Sequence, residues 1–208
     1  MNERNGGFAL LAGNAAMLVT MLLHPTGPEV VQSERAQLIA TIAHTVAAFA
    51  IPLMFLGALA ISRKLSEVCA LVVYGFAEAA GFIALVMSGY VATRVAHAMQ
   101  GAEPQLRDTW RVAFKYTGIL NQAFSRVFVV AAAVAIIVWS TTMLRRRIFG
   151  RGIAIYGLVC GIVLTIVVAS GLLRLNVHGF GVAMLALGIW FVIVAAELVA
   201  RPDGRPFA

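Results

Sequence analysis

Charged residues are scarce in this sequence. Only 12% of its 208 residues are charged and 61% are hydrophobic, whereas an ordinary soluble domain carries about 25% charged residues. The apolar residues gather into stretches with few or no charges, each close to the ~20 residues that a helix needs to cross about 30 Å of hydrocarbon. The composition excludes a conventional soluble domain and predicts a polytopic α-helical integral membrane protein.

Recognisable catalytic and cofactor motifs are also missing. There is no Walker loop, no H-E-x-x-H, no nucleophile elbow and no dinucleotide fingerprint. Cys69 and Cys160 are too far apart for a C-x-x-C motif, and we interpret them as small buried hydrophobes. No activity, cofactor or bound metal is identified by these patterns. A membrane enzyme assembled from single polar residues on separate helices stays open as an alternative.

Six apolar segments predict an all-α bundle of six transmembrane helices. They use nearly the whole chain, so we expect residues 1–208 to form a single transmembrane domain. The first segment follows Arg4 as a signal peptide would, but it lacks a small-residue cleavage site, and we interpret it as a retained helix. The six segments are residues 8–23, 40–62, 68–93, 120–143, 152–173 and 179–199.

The formal charge of +7 is explained by topology. Basic residues concentrate in the connections after segments two and four, at 63–64 and 145–151, and in the C-terminal tail, which holds Arg201 and Arg205. Connections rich in Lys and Arg stay in the cytoplasm. The pattern predicts a bacterial-type inner membrane protein with both termini cytoplasmic. The expected partner is the lipid bilayer, and no nucleic acid is expected.

Residues 104–115 form an amphipathic pattern between segments three and four. Trp110 and Phe114 fall on one helical face, while Arg107, Arg111 and Lys115 follow at four-residue spacing on the neighbouring face. The pattern predicts either an interfacial helix in the outer headgroups or an extension of the fourth segment.

Two further patterns concern packing. An offset of 82 residues aligns Tyr74-Gly75 with Tyr156-Gly157 and Ser88-Gly89 with Ser170-Gly171, which suggests that segments two and three repeat as segments four and five. The Gly157-x-x-x-Gly161 spacing suits close helix packing, either within the chain or in a homo-oligomer.

The histidines supply the candidate site. His24, His44, His97 and His178 all fall at segment ends on the predicted outer face. Neutral imidazole offers one donor and one acceptor, and it also binds metals, so a shared outer pocket would bind a small-molecule or lipid ligand. His44 with His97 is the predicted pair for a haem. The other polar residues predicted for this pocket are Arg94, Arg126, Arg174, Asn121 and Gln122.

Glu78 is the one charged side chain well inside a segment. Ionisable groups within a bilayer are costly, which makes them functional candidates. We therefore predict a proton-coupling role for Glu78, with Asn14, Tyr74 or Tyr156 as its partner.

Three functional hypotheses follow from these residues. The preferred one is a ligand-binding or transport-related membrane protein with a His- and Arg-lined pocket at the outer face. The alternatives are a redox protein that binds haem or quinone through the same histidines, and a non-catalytic scaffold whose polar residues serve only topology and packing.

Overall fold

The computed structural model describes residues 2–201; Met1 and residues 202–208, including Arg205 of the predicted cytoplasmic tail, lie outside the described residues. Throughout the described range the fold is helical, without strands. The elements are α1 Glu3–Leu23, α2 Gly27–Gln32, α3 Glu34–Leu65, α4 Val68–Val86, a π-helical turn Met87–Val91, α5 Ala92–Gly101, α6 Pro104–Arg146, α7 Arg151–Ala169 and α8 Val177–Ala200.

Six helices in the described range are long and apolar enough to cross a membrane, as the sequence predicts. They are α1, α3, α6, α7, α8 and the continuous run Val68–Gly101, which consists of α4, the π-helical turn and α5. Several begin or end outside the predicted bounds. The first starts at Glu3 because the Asn2 side chain caps it, accepting a hydrogen bond from the Asn5 amide at 2.8 Å.

Left-handed residues end two helices at the basic turns. Ser66 (φ 49°) ends α3 and Arg147 (φ 54°) ends α6. Basic residues occupy the last turn of both helices, where positive charge interacts favourably with the helix dipole. The charge pattern that predicts topology therefore also marks the two helix ends.

The six long helices form a closed ring. Each packs most closely on its neighbours in the order α1, α3, α4, α6, α7, α8, and α8 returns to α1. Lys64 joins both ends of the described chain, since its Nζ pairs with the Glu3 carboxylate and donates to the Arg201 carbonyl oxygen at 3.0 Å. We call this the terminal end of the ring.

The outer surface of the ring is apolar. Leu22 is 85% exposed and Phe49 is 72% exposed, and other large apolar side chains are exposed on every long helix. Such a continuous surface is rare on soluble monomers. The six apolar helices are therefore compatible with a membrane protein.

Small residues bring the helices together. A Cβ added at Gly57 would overlap Leu10, which lies on the neighbouring helix α1. One added at Gly161 would overlap Ile137 and the Ala133 carbonyl on α6, and one at Gly157 would overlap Ser140 on the same helix. The Gly157-x-x-x-Gly161 face is thus occupied within the chain.

A dense aromatic cluster fills the terminal half of the ring. Trp139 stacks on Trp190 with ring centroids 5.9 Å apart, and Tyr74 and Phe191 pack against Trp139 edge-on or tilted. Trp139 Nε1 donates to Ser62 Oγ at 2.9 Å. All four rings are buried, and we call them the aromatic cluster.

The opposite end is built by helix extensions. α6 has 43 residues and so is roughly 65 Å long, about twice the hydrocarbon thickness. Of the two alternatives for residues 104–115, the structure shows the extension, because they form the first turns of α6. Val30, Ala40 and Ala96 are buried together under Phe114, so this extension packs with α2, α3 and α5.

The two halves of the suggested repeat differ locally. Ser88 and Gly89 lie in the π-helical turn within a continuous helix, whereas Ser170 and Gly171 end α7, with Gly171 at φ 77°. The tandem repeat stays a prediction.

Candidate functional site

A cavity opens between α1, α3, α4, α6 and α8, on the side of the aromatic cluster away from the terminal end. The space between its walls, which includes open solvent at its mouth, is about 840 Å³. Most of its wall is apolar, including Met17, Met21, Phe128 and Phe180. The polar side chains in the wall are Thr20, His24, His44, Glu78, Ser88, Asn121, Ser125 and Asn176.

Two of the four predicted histidines meet in this wall. The His24 and His44 rings pack edge-on, with centroids 4.8 Å apart. His44 Nδ1 lies 2.6 Å from the Ala40 carbonyl oxygen, and His24 Nδ1 lies 2.8 Å from the Pro25 carbonyl oxygen. Burial lowers the pKa of the His24 imidazole and outweighs the opposing effect of its hydrogen bond to Pro25. We call these two residues the histidine pair.

A hydroxyl holds the two helices at this level. Thr20 Oγ1 lies 3.0 Å from the carbonyl oxygens of both Ala16 and Ala43, so it links α1, one turn before His24, to α3 at the residue before His44. Because side chains four residues apart share a helical face, His24 lies on the same face of α1 as Thr20, which is the face that contacts α3.

Most other predicted site residues do not line the cavity. Asn121 does, but Gln122 and the three arginines are exposed on the outside of the bundle. Among the described residues, the wall of the predicted His- and Arg-lined pocket therefore contains histidines without arginines, and Glu78 is its only acidic or basic side chain besides the histidines. The residues placed outside the wall are Arg94, Arg126, Arg174, Gln122, His97 and His178.

The predicted haem pair is not brought together. His97 is 70% exposed and its Nδ1 lies 4.0 Å from Glu34 Oε1. Glu34 is ten residues before His44 on α3, roughly 15 Å along the axis at 1.5 Å per residue. The rings of the histidine pair are themselves too close to admit a porphyrin between them. The bis-histidine haem predicted for His44 and His97 therefore does not fit this structure.

Glu78 lies at the floor of the cavity, next to the aromatic cluster. It is only 5% exposed, and no cation pairs with it within residues 2–201. Of its three predicted partners, Tyr74, one turn away, is the one that interacts with it. Asn14 instead donates to the Gly188 carbonyl oxygen at 3.2 Å, and Tyr156 donates to the Ala186 carbonyl oxygen at 2.8 Å.

The π-helical turn is a feature that the sequence analysis missed. A Cβ at Gly89 would overlap the Cβ and ring of His44, so glycine is required for this close approach. The wider turn also lets the Gly89 carbonyl oxygen accept hydrogen bonds from Thr41 at 3.1 Å and Thr93 at 2.9 Å. Such turns are frequent at functional sites, and here the turn seats one member of the histidine pair.

Sequence reasoning also missed the smaller polar groups and methionines in the wall. Thr20, Ser88 and Ser125 are ordinary residues in apolar helices, and only their convergence around one space distinguishes them. The available signal was the spacing of Met17, Met21 and His24, which places all three on one face of α1.

The described residues form a bundle of six long apolar helices, compatible with a membrane protein, with a cavity between the helices. Compared with known proteins, the chain matches no family model, no curated protein and no solved structure. The site must therefore be interpreted from its own geometry.

Proposed function

We propose that this chain is an integral membrane protein that binds small lipophilic cations in its cavity, in a ligand-binding or transport-related role. The observation that carries the proposal is the buried carboxyl of Glu78 at the floor of a mainly apolar cavity. A buried carboxylate without a cationic partner is costly, and a ligand that supplies positive charge would relieve that cost.

The walls suit the remainder of such a ligand. The Phe128 and Phe180 rings lie 6.1 Å apart and both face the cavity, and aromatic faces attract organic cations. Met17, Met21 and Met184 add flexible thioether side chains that adapt to ligands of different shape. The predicted arginine lining would have favoured an anion, but the described residues of the wall include no Arg or Lys, and only a protonated histidine could pair with one.

Proton coupling follows from the same carboxyl. An ionised Glu78 attracts the cation, whereas a protonated Glu78 does not, so a proton and the ligand compete for one group. Affinity for an organic cation should therefore fall as the pH is lowered. A protein that exchanges the two across a bilayer would use this competition, which is the transport-related form of the proposal.

Isothermal titration calorimetry on detergent-purified protein tests the binding step. The probe is benzyltrimethylammonium, and the controls are its uncharged isostere neopentylbenzene and the anion benzoate. We expect the cation to bind and both controls to bind at least about tenfold more weakly, since one charged interaction contributes about 1.5–3 kcal/mol.

Variants locate the site. Glu78→Gln keeps the shape of the side chain and should weaken the cation by about 10- to 100-fold, which corresponds to the same 1.5–3 kcal/mol. Glu103→Gln is the matched control, because Glu103 is exposed before α6 and does not line the cavity. Equal affinity for the cation and neopentylbenzene, or an unchanged affinity in Glu78→Gln, would overturn the proposal.

A further inference from the structure

We propose that the histidine pair and the methionines beside it form a binding site for a soft monovalent metal ion of the Cu(I) type. The site lies in the same cavity wall as Glu78 but uses different atoms, and it goes beyond the binding of organic cations. It would hold the ion through imidazole nitrogens of His24 and His44 and a thioether sulfur of α1.

The hydrogen bonds of the histidine pair determine which ring atoms are free. A backbone carbonyl oxygen can only accept, so Nδ1 of His24 must donate to Pro25 and Nδ1 of His44 must donate to Ala40. In the neutral rings the proton is then on Nδ1, and Nε2 carries a lone pair on both. Metal-binding histidines are typically oriented by such a bond from the other ring nitrogen.

The two lone pairs are available for a ligand. No hydrogen bond to either Nε2 atom is found among residues 2–201. Both rings line the cavity and their centroids are 4.8 Å apart.

Two methionines of α1 line the same cavity as the histidine pair, and their thioethers would select the kind of metal. Met17, Met21 and His24 follow at spacings of four and three residues, which places them on one helical face, and both methionines line the cavity. Thioether sulfur is a soft ligand that favours Cu(I), whereas Mg²⁺ and Ca²⁺ prefer oxygen ligands. Among the described residues, no group of three or more His, Cys, Asp and Glu side chains could hold a metal, so methionine must complete the ligand set.

The scaffold holds the site in place. Thr20 links α1 to α3 at Ala43, the residue before His44, and the absence of a side chain at Gly89 allows the π-helical turn to approach the His44 ring closely. Neither contact involves Nε2, so both hold the rings without occupying the atoms proposed to bind the ion.

The test is Cu(I) binding by purified protein, measured anaerobically by competition with bicinchoninate. Cys69 and Cys160 are both free and could bind Cu(I) themselves, so the experiment uses the Cys69→Ser/Cys160→Ser protein after its thermal unfolding has been shown to match the parent. We expect one Cu(I) per chain, with nitrogen and sulfur neighbours in the X-ray absorption spectrum.

Single variants assign the ligands. His24→Gln and His44→Gln should each weaken Cu(I) by roughly 100-fold or more, since groups that merely orient a metal ligand already contribute about 10- to 100-fold. Met21→Leu and Met17→Leu should remove sulfur from the absorption spectrum when combined. Met143→Leu is the control, because Met143 is buried at the terminal half of α6 and does not line the cavity.

The outcomes are decisive even where one variant fails to fold. His24 is the C-cap residue of α1 and only partly buried, so His24→Gln is the variant that tests the site if His44→Gln fails to fold. Absence of Cu(I) binding in the protein without cysteines would overturn the proposal, as would His24→Gln that folds and binds Cu(I) as tightly as the parent. Loss of benzyltrimethylammonium binding in Glu78→Gln with Cu(I) binding retained would show that the two sites are separate.

Discussion

The two ends of the helix ring differ in how the space between the helices is filled. At the terminal end, four aromatic rings fill the space between the helices and the Trp139 indole donates to Ser62. At the cavity end, alanine, glycine and serine leave that space unfilled, and polar groups face into it. One half of the bundle is therefore organised for close packing, and the other keeps a space whose walls carry lone pairs and a carboxyl.

The largest expected effect on stability comes from removing a large buried side chain from the aromatic cluster. Trp139→Ala should lower the free energy of unfolding by about 3–5 kcal/mol, because a fully buried indole leaves a cavity behind. Phe180→Ala, in the cavity wall and only half-buried, should cost clearly less. Unfolding by sodium dodecyl sulfate, followed by circular dichroism, measures both. Equal losses would remove the contrast between the two ends.

Adding one methyl group at each end of the ring tests the same difference in packing. Gly157→Ala should cost about 1–3 kcal/mol, because the new Cβ would overlap Ser140 Oγ and the Trp190 indole. Gly181→Ala at the cavity end meets only Met21 Cε at 3.5 Å, an ordinary contact, and should be close to neutral. Thermal unfolding of the matched pair in one detergent tests this, and a tolerated Gly157→Ala would contradict the packing described at the terminal end.

A polar change separates hydrogen bonding from volume. Ser62→Ala removes the acceptor of the buried Trp139 Nε1 proton and should cost about 1–3 kcal/mol, the penalty for a buried donor without a partner. Thr165→Ala is the control, since its buried hydroxyl has no hydrogen-bond partner within the described residues. Their thermal unfolding temperatures should differ, with Ser62→Ala the lower.

The smallest effect on stability should accompany a large effect on binding. Ala84→Leu places a larger side chain in the cavity wall, where there is space to receive it, and should change the unfolding free energy by less than about 1.5 kcal/mol. The same change should abolish calorimetric binding of benzyltrimethylammonium. Retained binding would mean that the cation occupies another part of the protein.

Much of the fold could be predicted from hydropathy, because long apolar stretches leave few alternatives to membrane-length helices. The extension of α6 over residues 104–115 was one of two alternatives, since an amphipathic pattern does not reveal whether a helix continues into the next segment. That Arg94, Arg126 and Arg174 do not line the cavity could not be predicted. The position of a residue along a helix does not determine the helix face on which its side chain lies.

The candidate site, like the fold, could be predicted only in part from the sequence. The sequence predicted a shared pocket because all four histidines lie at segment ends on the same predicted face. Only His24 and His44 are in contact, while His97 is exposed beside Glu34. Glu78 could be singled out because a lone charge in an apolar helix is conspicuous in sequence. Tyr74 was one of three predicted partners of Glu78. Choosing among them required knowing which face each helix turns toward Glu78.

The sequence by itself determined the six apolar helices, the basic turns that end two of them and the presence of a buried carboxyl, since these depend on composition and local spacing. Only the tertiary structure decided that α8 packs on α1 to close the ring, that a π-helical turn contacts His44, and that no arginine of residues 2–201 lines the pocket. Those features depend on contacts between residues far apart in the chain, where the shape of one helix surface must fit another.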